Sequence, residues 1–190
     1  MRVIGGFAKS RKVKMNNSLT IRPISDRVKQ SLFEILKYDI FDAAFLDLFA
    51  GSGSVGIEAL SRGAKEAVFV DSNEKCTRLI RENLKALGFI SAEVINADAS
   101  RALDILSKKG KKFLLVFLDP PYEMGLIKNI LKKLETSDIL NENSVLIVKR
   151  HKKELLETSF ILVKERFYGD TVLSFFKRAK ENNKVLGSRD

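Results

Sequence analysis

Cysteine and histidine are nearly missing from this chain of 190 residues, which has one of each, Cys76 and His151. An intrachain disulfide is therefore excluded, and a Cys/His zinc site lacks ligands, so no metal is expected. His151 has no nucleophile signature beside it, which disfavours Ser-His-Asp hydrolysis. Long apolar runs are also missing, and none approaches the roughly 20 residues of a membrane span. The opening Met1-Arg2-Val3-Ile4-Gly5-Gly6 is too short and too interrupted to serve as the apolar core of a signal peptide. Internal repeats and low-complexity segments are absent. These absences point to a cytoplasmic protein with no membrane contact; a monomer is expected. With 45% hydrophobic residues, one domain with a sizeable core is expected.

Negative charge is scarce at the two ends. Residues 1–30 hold eight basic side chains against the single acid Asp26, and residues 177–190 hold five against Glu181 and Asp190. The ends account for the whole net charge of +10, so a neutral body carries basic termini. That distribution suits a polyanion, with Arg2, Lys9, Arg11, Lys12, Lys14 and Arg22 as candidate RNA contacts. It also suits plain solvated termini.

Within the basic N-terminus, Val3-Ile4, Lys12–Met15 and Leu19–Ile21 read as short strands around turns at Gly5-Gly6 and Asn16-Asn17. Residues 1–22 thus form a hairpin-like arm, residues 23–180 the main domain and residues 181–190 a basic tail. Ser25 or Asp26 can cap a helix running to about Tyr38. Strands follow at about 44–49, 67–70, 92–95, 113–118 and 144–148, separated by helices at about 55–62, 73–87, 99–108 and 125–135. Residues 160–165 and 171–176 read as a closing antiparallel pair. Phe113–Leu118 is apolar without alternation, as a strand buried on both faces should be. The alternation predicts an α/β fold, a Rossmann-like, mostly parallel, doubly wound sheet with an antiparallel edge. Right-handed crossovers bring the strand ends to one side.

Three motifs fall at those ends. Gly51-Ser52-Gly53-Ser54-Val55-Gly56 joins the first strand to its helix, the turn that lets backbone approach a nucleotide-like ligand. Gly51 and Gly53 permit the bend, and Gly56 permits close packing of helix on strand. Asp71, twenty positions after Gly51, can accept from ribose hydroxyls or cap the following helix. These two motifs fit NAD or S-adenosylmethionine equally. Asp119-Pro120-Pro121-Tyr122 separates them. Two prolines fix a rigid corner and remove amide donors, leaving a carboxylate and the Pro120 carbonyl as acceptors for an exocyclic amine. Tyr122 offers a stacking face. Hydride transfer gives no reason for such an acceptor cluster. Asp98 can accept from a cofactor's adenine amine or merely cap a helix. Asp47, in an apolar strand, is costly to bury unpaired and can meet a ligand's ammonium group.

Asp47-Leu48-Phe49-Ala50-Gly51-Ser52-Gly53 with Asp119-Pro120-Pro121-Tyr122 resembles S-adenosylmethionine-dependent amino methyltransferases of nucleic acids. Further matches are Arg2–Gly6, Arg22-Pro23-Ile24-Ser25-Asp26-Arg27-Val28, Glu58–Ala64 and Tyr168-Gly169-Asp170-Thr171. With these, the chain resembles the RsmD family over nearly its whole length. The resemblance implies a class I methyltransferase that transfers a methyl group to N2 of a guanine in bacterial small-subunit rRNA. It implies S-adenosylmethionine as cofactor, held by Asp47, Phe49, Gly51, Ser52, Gly53, Gly56, Asp71, Ser72, Asp98 and Ala99. Asp119, Pro120 and Tyr122 would be catalytic, and the partner would be small-subunit rRNA or an assembling subunit. Two departures stand out: Glu34 replaces an expected asparagine, and Lys149-Arg150-His151 lacks an expected acidic residue. The rival readings are N6-adenine methylation of RNA or DNA, and a non-catalytic RNA-binding protein on a nucleotide-binding scaffold.

Overall fold

In the computed structural model, the described residues are 1–15, 24–121 and 125–179. Seven strands form one sheet in the order β3-β2-β1-β4-β5-β7-β6. β1 (Ala44–Asp47), β2 (Glu66–Asp71), β3 (Ala92–Asn96), β4 (Phe113–Leu118) and β5 (Leu140–His151) run parallel. β7 (Thr171–Lys177) pairs antiparallel with β5, and β6 (Ile161–Tyr168) pairs antiparallel with β7 to close the sheet. The helices are α1 (Asp26–Ile35), α2 (Ser54–Ser61), α3 (Glu74–Leu87), α4 (Ala99–Lys108) and α5 (Leu126–Thr136).

The expected α/β, mostly parallel sheet with an antiparallel edge is what forms. Successive strand residues face opposite sides. Phe45, Phe69, Phe117 and Phe175 pack with α1, α2 and α3 on one face. Leu46, Val68, Val116 and Val148 pack with α4 and α5 on the other. Both faces are covered, so the central strands are apolar throughout. Caps fix the helix starts: Ser25 Oγ accepts from Val28, Asn73 Oδ1 from Lys75 and Asp98 Oδ1 from Arg101. Gly88, left-handed at φ 77°, ends α3.

Several boundaries differ from the sequence expectation, two of them by the most informative margin. α1 stops at Ile35, not near Tyr38. β5 runs for twelve residues: it starts at Leu140, which pairs with Phe113 of β4, and its polar continuation Lys149–His151 pairs with β7 along Leu173, Val172 and Thr171. Backbone pairing extends that strand beyond the apolar run visible in sequence.

Residues 1–15 form a narrow hairpin whose ladder contact among the described residues is a bridge between Arg2 and Lys12. It is docked on the body, with Val3, Ala8 and Val13 buried in the same core cluster as α1–α3. The second half of the expected arm, residues 16–22, and the tail from residue 180 lie outside the described residues.

Candidate active site

The sheet order reverses between β1 and β4, and crevices form beyond the carboxyl ends of strands at such a point. Asp47 ends β1, Asp71 ends β2, Asp98 follows β3, Asp119 follows β4 and Lys149 lies near the end of β5. All five line one cavity of about 510 Å³.

The glycine turn forms its floor. Gly51 and Gly53 have φ of 53° and 77°, which L side chains adopt with strain. Gly56 serves packing: a Cβ there would lie 2.3 Å from Cε1 of Phe69. Gly53 is similarly closed, with Ile80 Cγ1 at 2.9 Å from an added Cβ. Neither Gly53 nor Gly56 lines the cavity, whereas Phe49, Gly51, Ser52, Ser72 and Ala99 do. The turn's amides are partly committed within the chain. Gly51 N donates to Asp71 Oδ2 at 2.7 Å, and Asn73 N donates to Asp71 Oδ1 at 2.8 Å. Asp71 thus clamps the glycine turn to the start of α3. Each of its oxygens keeps a further lone pair for a ligand hydroxyl.

Asp47 is 1% exposed. Its Oδ2 accepts from Gly56 N at 3.1 Å, while its Oδ1 has no hydrogen-bond partner among the described residues. Burial pushes its pKa up to about 8; the Gly56 amide opposes the rise, and Asp119 and Asp71 add to it. Asp119 is paired differently. Lys149 Nζ lies 2.6 Å from its Oδ1, with the two side chains 22% and 11% exposed. Burial raises the Asp119 carboxyl and Lys149 pulls it back down. Pro120 and Pro121 form the adjoining wall.

Asp98 both caps α4 and lines the cavity, so its two readings are compatible. Tyr122 and Arg22 lie outside the described residues. Sequence reasoning missed Lys149, Ile24, Phe117 and Leu126 as cavity residues, and assigned Cys76 to the core alone. Cys76 is buried and also walls the cavity; burial, with Asp71 beside it, pushes its thiol up to about 11. Only Lys149 carries a sequence signal, since it opens the segment Lys149-Arg150-His151 in which the family resemblance leads one to expect an acid.

The candidate RNA contacts of the hairpin sit elsewhere. Arg11 donates to the carbonyls of Leu87 and Ala86, so its guanidinium caps the end of α3. Lys14 lies 3.5 Å from Glu82. Arg2, Lys9 and Lys12 are exposed. The tip is docked at Ser61, where α2 ends, and α2 and α3 both begin at the cavity. The hairpin thus lies where α2 and α3 end, at the side of the fold away from the cavity at which they begin.

Known proteins share this architecture and sequence. A family model described as "Conserved hypothetical protein 95" matches residues 1–177. The ribosomal RNA small subunit methyltransferase D of Escherichia coli K12 is 34% identical over 94% of this chain and 90% of its own length. The protein of the same name from Haemophilus influenzae is 37% identical over 89% of each. The solved structure of Escherichia coli yhhF superposes with a TM-score of 0.84 at 31% identity, covering 95% of this chain and 99% of that one. With that match over nearly its full length, the chain belongs to the conserved hypothetical protein 95 family, the RsmD family.

Proposed function

We propose that this protein transfers a methyl group from S-adenosylmethionine to the exocyclic N2 amine of a guanine in small-subunit rRNA. The observation that carries the reading is the charge of the cavity. Among the described residues four acids, Asp47, Asp71, Asp98 and Asp119, line it against one cation, Lys149, which is itself paired. Such a lining repels a pyrophosphate and attracts a ligand with positive charge. The orphaned, buried Asp47 Oδ1 fits an ammonium group, since an ion pair there would satisfy the oxygen and offset its burial. S-adenosylmethionine carries an ammonium and a sulfonium, and supplies an electrophilic methyl group when bound. Asp71 would take its ribose hydroxyls, Asp98 its adenine amine, and Phe49, Ser72 and Ala99 its remaining surface.

Asp119 and the Pro120 carbonyl accept the hydrogens of the target amine and fix its nitrogen lone pair in one direction. Their main contribution is orientation, with the carboxylate also stabilising charge that develops on nitrogen. Tyr122 offers the face on which a base extruded from its stack would lie. The identity of the relatives named for small-subunit rRNA supports the substrate class.

Two measurements test the reading. Calorimetry should detect binding of S-adenosylmethionine and none of NAD. Nucleoside mass spectrometry of rRNA, from cells with and without the protein, should show loss of one N2-methylguanosine. Affinity for NAD alone, or loss of an N6-methyladenosine instead, would overturn the respective part.

A further inference from the structure

Among the described residues Lys149 is the one cation in the cavity wall, and its neighbours explain why it faces there. Adjacent strand residues point to opposite sides. Arg150 is tied away at Glu165 Oε1 and Ser174 Oγ, at 2.7 and 3.0 Å. β4 and β5 are parallel with Leu118 opposite Val148, so the next residues, Asp119 and Lys149, come side by side. The result is the 2.6 Å contact between half-buried side chains.

We propose that Lys149 is a positioning residue for methyl transfer, one that fixes the orientation of the Asp119 carboxylate at the cavity and offsets the cost of its burial. The proposal rests on the reading of Asp119 as acceptor of the target amine. With Oδ1 held by a charge-assisted hydrogen bond, the carboxylate has one preferred orientation and Oδ2 is left for the amine. The charged group that bears on Asp119 is Lys149 from β5; Asp119, with Asp71 from β2, acts in turn on Asp47 of the neighbouring β1. Without the ammonium, burial favours the protonated carboxyl. A protonated carboxyl carries its own hydrogen and loses acceptor capacity.

The test compares Lys149→Met, Lys149→Arg and Asp119→Asn in single-turnover methylation between pH 5.5 and 8.5. The substrate is small-subunit rRNA or subunits from cells lacking the protein. Carbon-13 NMR of the aspartate carboxyls follows Asp119 in the same folded proteins. Lys149→Met should be slower by about tenfold or more near pH 6, with the deficit shrinking as pH rises. Its Asp119 titration should move to higher pH, and its affinity for S-adenosylmethionine should stay within a few-fold. Lys149→Arg should keep most of the rate. A Lys149→Met variant with the wild-type rate at every pH, or with a pH-independent deficit and an unmoved Asp119 titration, would overturn the proposal. Asp119→Asn distinguishes the two layers. If it reacts at the wild-type rate, the acceptor role of Asp119 itself fails. If it is inactive while Lys149→Met is unaffected, only the role of Lys149 fails.

Discussion

Asp47 and Glu58 are carboxylates with almost no exposed surface, 1% and 0%, and the chain treats them in opposite ways. Glu58 is saturated. It accepts from Ile4 N at 2.8 Å, Gly5 N at 2.7 Å and Arg62 Nε at 2.8 Å, and Lys29 Nζ lies 3.7 Å away. Its partners come from the N-terminal hairpin, α1 and α2, so one buried acid joins three parts of the fold. Asp47 has a single amide and an oxygen with no donor among the described residues. The first carboxylate is finished by the chain. The second is left open by the described residues, and on the proposed function the ammonium group of a ligand would complete it.

The largest effect follows from breaking the saturated site. Glu58→Ala strips the buried Lys29 of its closest acid and leaves the amides of Ile4 and Gly5 without acceptors. Urea denaturation should show a loss of about 3–5 kcal/mol. Burial already lowers the Lys29 pKa, with Glu58 opposing the shift, so the lysine should give up its proton more readily in the variant. Adding Lys29→Met should recover part of the lost stability. A loss below about 1 kcal/mol would mean that the hairpin is held by its apolar contacts alone.

Asp47→Asn should act on binding, not folding. Calorimetry should show S-adenosylmethionine affinity reduced by about tenfold to a hundredfold, the range for losing a buried charge-assisted bond. The stability of the ligand-free protein should hold or rise at neutral pH. The sign follows from the raised pKa. Between about 4 and 8 the folded state binds more protons than the unfolded one, so the ligand-free chain loses stability as pH rises through that window. The asparagine removes this loss. Equal affinity in wild type and variant would detach Asp47 from the ligand's ammonium group.

A subtler consequence concerns protons. An Asp47 carboxyl with a pKa near 8 is mostly protonated at pH 7, and pairing with an ammonium should ionise it. Binding measured at pH 7 in buffers of different ionisation enthalpy should therefore release close to one proton, about 0.9 at most by this pKa. Asp47→Asn should abolish the release. Persistence of the release in that variant would assign it to another group, with Asp119 next in line.

How far each carboxylate was legible in sequence follows from the reach of its partners. Asp47 interrupts an apolar strand four residues before a glycine turn, and that local pattern already marks it. Glu58 lies in Ile57-Glu58-Ala59-Leu60, a run that shows a helix but not that its acid turns inward to meet residues more than 50 positions earlier. The strands were legible where both faces are apolar, as in β4, whose bounds match the expectation at both ends. β5 was not, since its last residues are strand only through pairing with β7. Lys149 is the same case at the site: a lysine after an apolar run reads as a solvated strand end until the β4–β5 register sets it beside Asp119. The motifs gave the turn, the acids and the corner, and the pairing between them is a long-range property.

The hairpin also gives the smallest effect expected here. Its basic side chains are not equivalent: Arg11 is spent on the carbonyls of α3, while Lys9 and Lys12 are exposed and enter none of the ion pairs among the described residues. If the hairpin grips RNA, Lys9 and Lys12 are its free charges, carried where α2 and α3 end and not where they begin at the acidic cluster. Lys9→Gln with Lys12→Gln should weaken rRNA binding a few-fold at physiological salt and reduce the slope of log K against log salt by about 1.5. Arg11→Gln should instead lower stability by roughly 1 kcal/mol, because it uncaps α3, with the salt slope moving by less than one. Phosphate contacts of this kind set the position of a substrate and leave the choice of base to the cavity. The double variant should therefore methylate the same nucleotide more slowly at low RNA concentration and at an unchanged rate at saturation. A slope that falls with Arg11 and not with the two lysines would reverse this division of the hairpin.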